Sequence, residues 1–141
     1  MFTTHFLLLV LGAGVTGYVA GAIWFSPALF MKPWREALGK TDSEIKSVMP
    51  RVMLYGFINT LATAFALAVL IELTGVETLV QYFQIVFFAL FAFVATTKFN
   101  DLIYSSREPH WSRKPQILFL VNLGYYIFSY SFITLVLWFA K

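Results

Sequence analysis

Lys98 and Asp101 are the residues of this chain best placed to do chemistry. They stand three positions apart, a spacing that makes side chains neighbours on a helix, at the edge of a long apolar run. An ionisable pair at such a depth is a candidate ion pair or proton site facing a bundle interior. The plainer alternative is a lysine that snorkels to the headgroups beside an aspartate already in water. Asn59 and Asn122 lie inside apolar runs, and Ser26, Thr96, Thr97 and Asn100 stand at the ends of two others. If the two halves of the chain repeat, Ser26, Asn59, Asn100 and Asn122 fall at similar depth on the cytoplasmic side. With Thr96 and Thr97 they are the candidate polar layer of a membrane pathway.

No catalytic constellation accompanies them. The chain lacks an HExxH sequence, a nucleophile elbow and a phosphate loop. His5 and His110 fall at opposite faces in the expected topology, so they cannot share a metal. There is no cysteine, which removes disulfides and thiolate metal sites. No cofactor is expected, and bound lipid is the one non-protein component this composition invites. Glu72 and Glu77 read as exposed acids at a membrane surface.

The elements that must position these residues are written in the charge map. Asp, Glu, Lys and Arg are absent from Met1–Met31, Val52–Ile71, Thr78–Thr97 and Pro115–Ala140. Each run reaches the roughly 20 residues that a helix needs to cross a hydrocarbon core of about 30 Å. Charge is what that core rejects, so four such runs predict four membrane-spanning helices. Hydrophobic residues make up 60% and charged residues 12% of the chain, which leaves room for one bundle and no soluble domain. The expected architecture is an all-α, four-helix transmembrane bundle forming a single domain over 1–141, with spans at about 5–30, 51–73, 78–104 and 116–139.

Nine of the ten Lys and Arg residues lie between the first and second or the third and fourth runs, Lys98 included. The net charge of +3 is therefore a loop property and no sign of nucleic-acid binding. By the positive-inside rule both loops are cytoplasmic and both termini face outward. The first run has no basic n-region and exceeds a signal-peptide core, so it is expected to stay as a span. Trp24, Trp34, Trp111 and Trp138 fall near span ends, where amphipathic rings settle at the headgroups.

Local signals refine the spans. Gly14, Gly17 and Gly21 place small residues along the first span, so another helix can approach closely. Packing within the bundle is the stronger reading, a dimer face the weaker. Pro27 is expected to kink or end that helix at Ser26. Thr41 and Glu44 form a capping box that should start a short amphipathic cytoplasmic helix, stopped at Pro50. Phe25–Phe30 echoes Phe99–Tyr104, and Asn59 echoes Asn122, as a parallel two-plus-two repeat would require.

Three segments carry a family resemblance: Gly21–Phe30 with Pro33-Trp34, Phe93–Thr97 with Asn100, and Leu120–Tyr126. In this order they resemble a bacterial membrane family, the domain of unknown function numbered seventeen sixty-one. The resemblance implies a small four-span protein of the bacterial cytoplasmic (inner) membrane and carries no activity. It maps recurrent polar positions onto Ser26, Pro27, Thr96, Thr97, Asn100 and Asn122. Lys98 departs from it, standing where the family usually has an apolar residue. Two functions stay open. One is a non-catalytic accessory or assembly subunit, packing with itself as a homo-oligomer or with a larger membrane complex. The other is a small transporter or channel with a polar layer on the cytoplasmic side.

Overall fold

The computed structural model describes residues 3–105 and 114–140, and every element among them is helical. His110 and Trp111 lie outside the described residues. Helix α1 spans Thr4–Trp24, α2 Met31–Leu38, α3 Asp42–Thr74, α4 Leu79–Ala89, α5 Thr96–Ser105 and α6 Pro115–Phe139. A π-helical segment, Leu90–Ala95, joins α4 to α5. Four helical stretches are long and apolar enough to cross a membrane: α1, α3, Leu79–Tyr104 and α6. The four-span, all-α expectation therefore holds.

The helix starts follow from capping chemistry. The Thr3 hydroxyl accepts the Phe6 N–H at 3.1 Å, satisfying a donor that has no partner inside α1. Thr41 with Glu44 and Thr78 with Gln81 form complete capping boxes at the starts of α3 and α4. Gly39 and Gly75 close α2 and α3 in the left-handed region, at φ 69° and 63°, where a β-carbon is strained.

Two boundaries differ from the sequence expectation. The helix begun at Thr41 does not stop at Pro50; it runs unbroken to Thr74. Proline removes the donor that would bond the Lys46 carbonyl. Pro50 is exposed, so solvent at the membrane edge can serve that carbonyl while the capped turn and the long span extend through it. The short helix between the first two spans is instead α2, upstream of Thr41. The first span also ends at Trp24, earlier than about 30, and its chain turns through Ser26-Pro27. The Leu29 and Met31 amides bond the Ser26 carbonyl, and the Phe30 amide bonds that of Trp24 at 3.1 Å, so the break leaves few orphan groups.

Helices α1 and α6 form the spine, α3 packs on α1, and the α4–α5 arm packs on α6. Helix α3 meets α4 only sparsely. A parallel repeat would make that pair equivalent to the long α1–α6 contact. The second half also keeps Thr96–Ser105 helical where the first half breaks. The sequence echo therefore does not extend to the packing.

Candidate functional site

The glycines of α1 serve packing inside the chain. Gly14, Gly17 and Gly21 are all buried. A β-carbon at Gly17 would lie 2.7 Å from the Ile133 side chain, and one at Gly14 would lie 2.5 Å from Leu61. At Gly21 the obstacle is Tyr125, at 2.8 Å. The three glycines thus let α3 and α6 close on α1, the packing role small residues have in membranes.

The buried serine and threonine side chains among the described residues are each satisfied by a carbonyl. Thr60 donates to Gly56 at 2.8 Å, Thr134 to Tyr130 at 2.7 Å, and Ser129 to Gly17 at 3.1 Å. The first two return to their own helix; the third crosses from α6 to α1.

Among the described residues the six candidate polar-layer residues are not linked to one another by side-chain hydrogen bonds. Asn59 is exposed on α3, which lies against α1, and Asn100 is exposed on α5, which lies against α6. Ser26 and Asn122 are half-buried, and among the described residues no hydrogen bond joins the side chains of these four. Thr96 and Thr97 are exposed and bond back to their own helical stretch. The Thr96 hydroxyl donates to the Ala92 carbonyl at 2.7 Å and that of Thr97 to the Phe93 carbonyl at 2.6 Å. Both acceptors sit in the π segment, whose widened turn the threonines brace.

Lys98 and Asp101 do meet. Nζ lies 3.1 Å from Oδ2, with side chains 34% and 45% exposed. An ion pair this open to its surroundings is screened and contributes little to stability. Phe99 and Ile103 on the same short helix are exposed apolar residues.

Two features of the structure have only faint sequence signals. The first is an aromatic latch at the α1 break. Trp24 Nε1 donates to the Val121 carbonyl at 3.1 Å, and its ring stacks on Phe30 with centroids 4.3 Å apart. Phe25 packs against both Tyr125 and Trp34. Gly124 makes room for this: a β-carbon there would meet the Trp24 ring at 2.6 Å. In sequence, the first two tryptophans read only as interfacial rings. Beyond the latch, α2 is tied to the start of α6, where the Lys114 amide bonds the Ala37 carbonyl at 3.1 Å.

The second feature is a 450 Å³ cleft at the end of the bundle that carries Thr3 and the α3–α4 turn. All four spans contribute, through Phe6, Ile71, Tyr82 and Leu137 among others. Its polar members include His5, Glu72 and Glu77. Nothing in the spacing of His5 from the two acids announces that they share a cavity.

The profile of the family described as protein of unknown function (DUF1761) matches residues 8–138, so the chain belongs to that family. This agrees with the resemblance carried by the three segments quoted above. No curated protein and no solved structure matches the chain.

Proposed function

We propose that this member of the family is a non-catalytic membrane subunit, and that the α3 face bearing Asn59 docks a transmembrane helix of another chain. The observation that carries the proposal is the setting of Asn59. It lies eight residues beyond Arg51 on α3, about 12 Å along the helix at about 1.5 Å per residue. Its side chain is exposed and has no hydrogen-bond partner among the described residues. In hydrocarbon an unpaired amide is costly, and a neighbouring helix is the natural source of a partner. Ala62 and Ala66 follow Asn59 and are also exposed. Their small-xxx-small spacing lets that helix approach closely. Tyr55, 66% exposed, continues the surface by one turn.

The glycines of α1 cannot serve this purpose because their own chain covers them. The transport alternative needs Ser26, Asn59, Asn100 and Asn122 to converge, and the hydrogen bonds and helix packing lend it no support. In the proposed setting the basic loops face the bacterial cytoplasm and both termini face outward, by the positive-inside distribution. Lipid is the solvent of the remaining surface, and no cofactor is required.

The absence of cysteine makes the test direct. Ala62→Cys introduces a single thiol, and oxidation of native membranes should give a disulfide-linked dimer or a discrete adduct. Phe93→Cys, on the exposed face of the third span, should give neither. Asn59→Leu should shift the native complex to smaller size while leaving monomer stability intact. A chain that migrates as a monomer from native membranes, or an Asn59→Leu variant with an unchanged complex, overturns the proposal.

A further inference from the structure

We infer that the cleft at the acidic end binds a small lipophilic cation. Its volume, 450 Å³, falls within the roughly 300–1,000 Å³ of small-molecule sites, which are mostly apolar with a few polar groups that fix orientation. The walls fit that description. Phe6 and Tyr82 are 8% and 2% exposed, and Ile71 and Leu137 are 6% and 2% exposed; these residues come from four different spans. A ring or alkyl body placed there leaves water and meets packed carbon on several sides.

Charge decides which lipophilic molecule is favoured. Glu72 and Glu77 both line the cleft. Neither forms an ion pair with a described residue; the ion pairs are Arg35 with Asp42, Lys40 with Glu44, and Lys98 with Asp101. Among the described residues no Lys or Arg lines the cleft, and His5 is the sole basic side chain there. Two carboxylates that no described Lys or Arg pairs, beside an apolar cavity, complement a molecule that is apolar over most of its surface and carries one positive charge. An anion of the same shape meets repulsion, and a neutral molecule lacks the charge attraction.

The site is independent of the Asn59 face, so its test stands apart from the docking proposal. The full chain in nanodiscs is titrated with radiolabelled tetraphenylphosphonium, and in parallel with tetraphenylborate, which has the same shape and the opposite charge. Saturable binding of the cation alone is expected. The double variant Glu72→Gln with Glu77→Gln should weaken it about tenfold or more, the scale of a lost charged contact. Both acids are exposed, so the variant should keep its thermal stability, which the same preparation reports. Ala68→Phe, which puts bulk into the cleft from α3, should also lower cation binding. Equal binding of both ions, binding unchanged by the double variant, or no saturable binding to the native chain overturns the inference.

Discussion

The Ser129 hydroxyl donates to the Gly17 carbonyl at 3.1 Å, joining α6 to α1 at the position where the missing glycine side chain lets the two helices touch. Gly17 therefore serves twice. Its lack of a β-carbon admits Ile133, and the close approach that results brings its carbonyl within reach of a buried serine. Gly17→Val should be the more damaging change, because the added atoms meet Ile133 and Thr60 together. Overpacking of this kind costs about 1–3 kcal/mol. Ser129→Ala should cost about 0.6 kcal/mol, the mean for side-chain hydrogen bonds between membrane helices. Thermal unfolding in one detergent ranks the two. Gly12→Ala should match the native chain, because its new β-carbon would meet only Val136, at 4.0 Å.

The aromatic latch can be tested from either side. Trp24→Phe keeps a ring against Phe30 but removes the indole donor to Val121. The expected loss is about 0.5–1.5 kcal/mol. Gly124→Ala attacks the same contact from α6 and should displace the indole, which quenching of Trp24 fluorescence by a lipid-soluble quencher would register. If the latch holds the break, both variants raise proteolysis within the turn that precedes α2.

The start of α3 yields a pair of opposed expectations. Thr41→Ala removes a capping box whose hydroxyl accepts the Glu44 amide at 3.3 Å, at a cost of about 1 kcal/mol. Pro50→Ala restores the missing donor within an otherwise continuous helix. It should raise the unfolding temperature, and circular dichroism should show no loss of helix. A fall in helix content would mean that the proline shapes α3 in a way the rest of the bundle depends on.

For the Lys98–Asp101 pair a small effect is expected. The side chains are 34% and 45% exposed, and such open pairs typically contribute about 0–1 kcal/mol. Lys98→Met should therefore unfold within a few degrees of the native chain. A large loss would show that the pair does more than join two neighbouring side chains of α5.

Much of the fold was legible because a bilayer simplifies the reading. Four charge-free runs became four spans, since helices hide backbone polar groups from hydrocarbon within a single segment. The packing glycines of α1, the capping box at Thr41 and the break at Ser26 all rest on short-range rules, and each appears in the structure. Even the i, i+3 pairing of Lys98 and Asp101 needed only helix geometry. The stop expected at Pro50 failed because a proline's lost hydrogen bond was outweighed by the helix on either side of it.

The candidate site followed a different logic. Depth along a helix can be counted from sequence, but direction around the helix depends on which neighbour covers which face. Asn59 and Asn100 share an expected depth and yet stand on helices with different neighbours, because α3 packs on α1 while α5 packs on α6. By contrast, His5 stands on α1, far in sequence from Glu72, Glu77 and Tyr82, and yet shares one cleft with them. Local composition and spacing were enough to set the solvent, the number of spans and the main helix break, because each depends on residues close together in the chain. Which polar residues converge was settled by the packing of the bundle, because contacts between helices leave no local pattern.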